Sequence, residues 1–390
     1  MSRFLFVLPP FVAHVHPVLG IGAALESRGH AVAWVTDVST RNLLKPGSKL
    51  YPFEHALDSG ITASSGLPLI AGYKSLMEDV LVPLAYRMLP YVEDAIADFC
   101  PDVVVADQQA LAGPLAARLA GRTYATSAPS AGPWSGAFDM VPGMREWTET
   151  HFEALQRSVG LEPIAELDCS PELLLLYTTP EFADPQRRFP PNYRFVGPSI
   201  HGREDDTPFP WHALRDGPRV LASLGTLFFR RGVHFFSALV EALTNAPVQV
   251  IVSAPQELFA TVPDNFIVQP WVPLPALYEH IDAVICHAGS MVSESLLHGL
   301  PMVVAPIAQE QGFIAERAVT VGAAIRVSVR RARAQDLRDA VLEIIRNPGY
   351  RSAARRIQQS FVAAGGALAA ARELEGLARA HDQSIVEPTA

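Results

Sequence analysis

The feature that most constrains this chain is a strand–helix alternation that runs twice along its length. Phe4 to Leu8 is wholly apolar, as a parallel strand covered on both faces must be. Pro9 and Pro10 stop it, and the spacing predicts a helix from about Pro17 to Arg28, with Pro17 in its first turn. Gly29 is placed to end that helix, and Ala31 to Thr36 reads as the next strand. The pattern returns with a strand at 103–106, a helix over 109–120, a strand near 123–127 and a late strand within 173–179. Between these lies an insertion at 56–99. It is rich in Leu, Met and Tyr and ends in a helical run from Tyr73 to Phe99.

A second series begins after a break. Residues 180–218 hold eight prolines, the composition of a linker. The whole chain carries 33 prolines in 390 residues, well above the typical ~5%, which excludes long coiled coils. Beyond the break, strands are predicted at 219–223, 248–253, 266–269, 282–287, 302–306 and 323–327. Helices are predicted over 232–244, 290–299, 312–321, 333–346 and 348–380. The expected fold class is α/β, with two doubly wound domains joined by a linker. Ligands of such sheets bind at the carboxyl ends of the strands, and two such domains add a cleft between them.

Charge narrows the function classes. With 31 basic and 40 acidic residues, and no run of Lys or Arg longer than two, the chain lacks the basic face of a nucleic-acid binder. Arg326, Arg330, Arg331 and Arg333 read as a solvated helix start. Cys100, Cys169 and Cys286 are too widely spaced for a disulfide framework or a zinc pattern, and a reducing, cytoplasmic setting is expected. The apolar opening is too short and too interrupted for a signal peptide, and no stretch approaches a membrane span. Gly20-x-Gly22 fails as a dinucleotide fingerprint, because both glycines lie inside the first helix and a third is missing. Close packing of helix on sheet explains them better, and a dehydrogenase is disfavoured.

Residues 282–311 carry the sharpest chemistry. An apolar strand ends at His287, a short polar turn follows, and a helix starts near Ser290–Ser293. Free N–H groups at a helix start accept an anion, and the helix dipole adds to this. His287, Gly289, Ser290 and Ser293 thus form a candidate diphosphate cradle. Glu294 lies in the first turn, where its carboxylate can turn outward to sugar hydroxyls. The same residues also read as a plain N-cap at Ser293 and a satisfied strand-end histidine.

The segment resembles the donor-binding signature of the nucleotide-sugar-dependent glycosyltransferases of GT-B architecture, the UDP-glycosyltransferase superfamily. The family pattern is matched by Trp271-Val272-Pro273, then His287-Ala288-Gly289, then Glu294-x4-Gly299-x-Pro301, then Pro306-x3-Glu310-Gln311. The likeness extends over essentially the whole chain, most weakly at 56–99 and 130–210. It is nearest to bacterial enzymes acting on secondary metabolites, including macrolide and carotenoid glycosyltransferases. It implies two Rossmann-like, doubly wound domains facing a cleft. An acceptor domain would span 1–200, a linker 201–217 and a donor domain 218–365. A C-terminal helix at 366–390 would pack back on the first domain.

The resemblance also implies roles. Trp271 would stack on the donor base, with the Val272 backbone pairing with it. His287 would contact the diphosphate, with Gly289, Ser290, Met291 and Ser293 beside it. Glu294 would bind ribose hydroxyls, and Glu310 and Gln311 the transferred sugar. Ser223, Gly225 and Thr226 resemble a further donor-facing loop. The run His14-Val15-His16-Pro17 resembles the family's Gly-His-x-x-Pro, whose histidine is the catalytic base, and Asp107 resembles the aspartate that orients it. His16 remains a rival to His14, and Asp107 also fits a helix N-cap. The apolar stretch 67–91 reads as a packed helix face that doubles as an acceptor wall, with Trp134, Phe138 and Met140 opposite. Phe11 and Val12 join these acceptor candidates.

The sequence departs from the pattern at three places. Six residues separate His287 from Glu294 where the family usually has seven, position 310 is Glu rather than Asp, and Leu274 stands where many relatives have Gln. The expected activity is inverting, metal-independent transfer of a hexose or deoxyhexose to a hydroxyl of an apolar small molecule. A UDP- or TDP-linked sugar would serve as co-substrate, with no cofactor, in a monomer or homodimer. A nucleotide-sugar 2-epimerase of the same fold is an alternative, as is a non-catalytic auxiliary protein. The apolar insertion argues against the first. Retention of His14, Asp107, Glu294 and Gln311 together argues against the second.

Overall fold

The computed structural model describes residues 1–54, 69–136, 141–200, 207–225, 232–307 and 310–386. The chain forms two compact units. One comprises Met1–Gly202 with Ala363–Ala390, and the other Arg203–Val362.

The first unit is built on a parallel sheet of seven strands: β1 (Arg3–Val7), β2 (Ala31–Asp37), β3 (Lys49–Phe53), β4 (Val103–Asp107), β5 (Tyr124–Ala128), β6 (Leu174–Leu176) and β7 (Tyr193–Phe195). Their order is β3-β2-β1-β4-β5-β6-β7. The helices are α1 (Val12–Ser27), α2 (Leu69–Ser75), α3 (Val82–Phe99), α4 (Ala112–Leu119) and α5 (Met144–Ser158), with a π-helical stretch Leu76–Leu81 between α2 and α3. Strand pleating divides β1 between two cores. Phe4 and Phe6, with Leu8 just beyond, pack with Val15, Val18 and Ile21 of α1, while Leu5 and Val7 pack with Leu84, Met88 and Val92 of α3. Burying each such side chain contributes about 1.5–3 kcal/mol.

Several sequence expectations change here. Helix α1 begins at Val12, so Pro17 lies in its interior rather than in its first turn. The start is set by the Phe11 carbonyl, which accepts from the N–H groups of His14 (2.8 Å) and Val15 (3.1 Å). Gly29 ends the helix at φ 85, a conformation that costs glycine nothing. Gly22 serves packing, since a Cβ there would lie 2.5 Å from the Trp34 ring. Edge strands β3 and β7 were not anticipated. β3 contains Pro52 and is only partly buried, and β7 has three residues inside the proline cluster. Edge strands tolerate both features. The linker composition at 180–218 therefore includes a strand of the first sheet. At its other end Gln249 bonds the Arg215 N–H (2.8 Å) and the Ala213 carbonyl (2.8 Å), tying this stretch to the second unit.

The second unit repeats the design with β8 (Arg219–Ser223), β9 (Gln249–Ser253), β10 (Phe266–Gln269), β11 (Ala283–Cys286), β12 (Met302–Val304) and β13 (Ala324–Arg326). The order is β10-β9-β8-β11-β12-β13, again all parallel. The helices are α6 (Val233–Leu243), α7 (Met291–Leu297), α8 (Gln311–Thr320), α9 (Ala334–Arg346) and α10 (Pro348–Ala364). Phe235, Phe236 and Leu239 of α6 pack with Leu337, Val341 and Ile344 of α9 in its core.

The last helix, α11 (Gly366–Val386), belongs to the first unit. Ala370, Ala371, Leu374 and Ala378 pack into the core that holds α1. Glu375 accepts from Arg28 Nε (2.6 Å), from the second Arg28 terminal nitrogen (2.8 Å) and from His30 Nε2 (2.9 Å).

In each sheet the strand order reverses beside the first strand, between β1 and β4 and between β8 and β11. Helices leaving the two strands of such a pair go to opposite faces, which opens a crevice at their carboxyl ends. Among the described residues no helix is long and apolar enough to cross a membrane.

Candidate active site

The switch point of the first sheet carries a histidine–aspartate pair. Asp107 is the last residue of β4 and fully buried, and His14 stands in the first turn of α1, just after β1. His14 Nδ1 lies 2.9 Å from Asp107 Oδ1 and 3.0 Å from Oδ2. A carboxylate only accepts, so Nδ1 carries the hydrogen, and in the neutral ring the lone pair is on Nε2. The His14 side chain is 13% exposed. The Phe11 ring packs edge-on to it at 5.6 Å.

Two sequence alternatives separate here. In the sequence, His14 and His16 are rivals for one role. Both lie on a helix, where two residues turn the side chain by roughly 200°. It is His14 that bonds Asp107. Nor is Asp107 a helix N-cap, because α4 starts at Ala112 with Leu111 in the cap position. Its Oδ1 instead accepts the Gln109 N–H (2.8 Å) in a tight turn.

The acceptor candidates divide. Phe11 is half-buried, and Val12 is exposed at the start of α1. Trp134 is buried, with its ring edge-on to Phe182 (6.2 Å). Phe138 and Met140 lie outside the described residues. Met77, Val80 and Leu81 of the π-helical stretch form a small core with Phe152 and Leu155 of α5, and Phe11 and Tyr73 pack against it.

At the second switch point Ser223 ends β8 and pairs with Cys286 of β11, one residue before His287. The Ser223 hydroxyl accepts the Gly225 N–H (3.2 Å). The His287 imidazole is clasped between two glycines. A Cβ at Gly225 or at Gly289 would lie 2.6 Å from the ring. Gly225 also has φ 73, so it is required twice. Burial pushes the His287 pKa down to about 4, opposed by a hydrogen bond to the Ser223 backbone. Near pH 7 it is therefore a neutral hydrogen-bonding ring, not a cation. Thr226 lies outside the described residues.

The short turn after His287 is closed by Ala288 at φ 63, an uncommon conformation for a residue with a Cβ. Helix α7 then begins at Met291, with exposed Ser290 in the cap position and Ser293 inside the helix, not at its cap. Met291 is buried, so the helix start can offer its backbone but not its side chain. Trp271 is 63% exposed and Val272 is buried.

Two of the donor candidates have protein partners. Glu294 is not held out in solvent. Its carboxylate is buried, and the Tyr278 hydroxyl donates to Oε2 (3.1 Å). Gln311 is the first residue of α8 and also buried, and its Oε1 accepts the Ile307 N–H (2.8 Å). Glu310 is half-buried at the cap position of that helix. Tyr278 was missed by the sequence reading. It lies in the gap between the Trp-Val-Pro and His-x-Gly motifs, where spacing gives no signal. Among the described residues no group of three or more His, Cys, Asp or Glu side chains is arranged to hold a metal ion.

These features have relatives. The chain is 27% identical over 96% of its length to 4'-demethylrebeccamycin synthase of Lentzea aerocolonigenes, covering 99% of that protein. The solved glycotransferase of kitacinnamycin superposes with a TM-score of 0.79 at 25% identity, covering 96% of this chain and 98% of that one. The calicheamicin glycosyltransferase CalG4 superposes with a TM-score of 0.78 at 24% identity, over 97% and 98% of the two chains, and shares the GT-B fold. Residues 140–360 match the family model of UDP-glucoronosyl and UDP-glucosyl transferases. This chain is a glycosyltransferase and belongs to the UDP-glucoronosyl and UDP-glucosyl transferase family.

Proposed function

We propose that this enzyme moves a hexose or deoxyhexose from a UDP- or TDP-linked sugar to a hydroxyl of an apolar natural product, with inversion and without a metal. The observation that carries the reading is the bond between His14 Nδ1 and Asp107 at 2.9 Å. With Nδ1 held, Nε2 takes the acceptor's proton while its oxygen attacks the anomeric carbon. Attack comes from the face opposite the departing diphosphate, which inverts the centre. Asp107 keeps the ring in the required tautomer and stabilises the imidazolium that forms.

The donor is held in the second unit. Trp271 stacks on the base and Glu294 bonds the ribose. The amide groups at the start of α7 take the diphosphate together with neutral His287, and Glu310 and Gln311 contact the sugar. These dipoles stabilise the charge of the leaving diphosphate, the task a metal performs elsewhere. The names of the relatives, which concern rebeccamycin, kitacinnamycin and calicheamicin, support a natural-product acceptor. The small core formed by the π-helical stretch and α5, with Phe11 against it, supports an apolar one.

The test is transfer from UDP- and TDP-sugars to a panel of hydroxylated polyketides and flavonoids, with the product anomer read by NMR. Inverted product, formed equally well in excess chelator, is expected. Retained configuration, or loss of the rate on chelation, would overturn the mechanism.

A further inference from the structure

We propose that Tyr278 is a positioning residue for donor binding, holding the Glu294 carboxylate in the one orientation that receives the ribose hydroxyls. The inference rests on the donor role given to Glu294 above. Its geometry is independent of that role. The Tyr278 hydroxyl donates to Glu294 Oε2 at 3.1 Å, across 16 positions of sequence, and both side chains are buried.

Tyr278 is itself held. The His298 ring lies flat against it, with centroids 4.9 Å apart and planes at 21°. His298 follows Glu294 by four residues, one turn along the same face of α7 and its cap. Burial lowers the His298 pKa, with Glu279 and Glu294 acting in the opposite direction, so a neutral ring braces the phenol.

The segment that carries Tyr278 also carries the base platform. Exposed Trp271 and buried Val272 lead into a helical turn at Leu274–Leu277, anchored by the Leu277 N–H on the Pro273 carbonyl (2.9 Å). Tyr278 follows directly. One short stretch therefore presents an aromatic face at one end and fixes a carboxylate at the other. These are the two groups a nucleoside needs at a set separation. A glutamate has three side-chain torsions, and locking one oxygen removes that freedom before the ligand arrives. A buried carboxylate deprived of its phenol partner would repack toward other donors and lose that orientation.

The test is steady-state kinetics of Tyr278→Phe, Glu294→Gln and the double variant, with inorganic pyrophosphate as a competitor that lacks ribose. For Tyr278→Phe a rise of about tenfold in donor KM is expected, the usual scale for a lost hydrogen bond to a charged group. kcat and pyrophosphate inhibition should stay close to wild type. In the Glu294→Gln background the same change should add nothing further. His298→Ala, which loosens the phenol while keeping both hydrogen-bonding groups, should raise donor KM in the same direction but less. It keeps the proposal testable if Tyr278→Phe folds poorly. An unchanged donor KM in Tyr278→Phe, or a lowered melting temperature alone, would overturn the positioning role while leaving the Glu294 reading intact. An unchanged donor KM in Glu294→Gln would overturn both.

Discussion

His14 and Asp107 stand 93 positions apart in the chain, yet their side chains meet at 2.9 Å at the switch point of the first sheet. The contact exists because β1 and β4 are neighbours, with Val7 paired to Ala106. The residues just beyond that pair emerge together at the carboxyl edge. The first prediction follows from this pair. His14→Ala should lower kcat by roughly 10²–10⁴, the usual share of general base catalysis, with donor KM little changed. Asp107→Asn should lower kcat substantially as well, because an amide can hold the ring in the wrong tautomer. His16→Ala should leave kcat within about threefold of wild type, since a helix turns that residue away from Asp107. Initial rates at saturating donor decide this, and a His14→Ala enzyme at full rate would refute the assignment.

Two glycines clasp His287, and each excludes a methyl group. Gly289→Ala places a Cβ 2.6 Å from the ring, an overpacking that costs about 1–3 kcal/mol. Gly225→Ala adds the penalty of φ 73, about 1–2 kcal/mol more. Both variants should melt earlier and bind donor more weakly, with Gly225→Ala the worse. Thermal melts and donor KM measured together check this. Wild-type values for both variants would remove His287 from the site.

Trp271 presents its ring to solvent, 63% exposed, beside a buried Val272. Replacing it with Ala should weaken UDP or TDP binding by about 1–3 kcal/mol, the scale of base–aromatic stacking. The melting temperature of the free protein should hardly move, because little packing is lost. Titration calorimetry separates the two effects. Unaltered nucleotide affinity would place the base elsewhere.

Glu375 locks α11 onto α1, and its carboxyl pKa is lowered from 4.5 to about 2. The hydrogen bond from Arg28 is the largest cause, opposed by burial and helped by His30. A depressed carboxylate pKa stabilises the fold at pH values above the ordinary one, and that contribution is lost as pH falls toward about 2. Wild type should therefore melt higher than Glu375→Gln near pH 7, and the gap should close progressively below about pH 4.5. A gap that stays constant into acid would mean that the ion pairs do not hold the helix.

Much of the fold was legible because apolar runs and glycine stops are local signals. Phe4 to Leu8, Val103 to Ala106 and Val284 to Cys286 are strands that no solvated helix face could accommodate. Gly29 ends α1 where its freedom at φ 85 is needed. The start of α1 was not legible. Pro17 signals a first turn, but the Phe11 carbonyl captures two N–H groups and begins the helix earlier. Strand β7 was hidden because three residues at a sheet edge need neither a long apolar run nor freedom from prolines.

The sequence alone determined which groups are available and roughly where along the chain they fall: a histidine after the first strand, an aspartate at the end of another, and a His-x-Gly turn before a helix. Periodicity and spacing carry that information because they reflect contacts within a few residues. Which of those groups meet is a matter of tertiary structure. It pairs His14 with Asp107, ties Glu294 to Tyr278, and keeps His287 neutral between two glycines. Each outcome depends on a partner brought from a distant part of the chain, and on burial that makes the pairing strong. Neither the partner nor the burial is written in the local pattern.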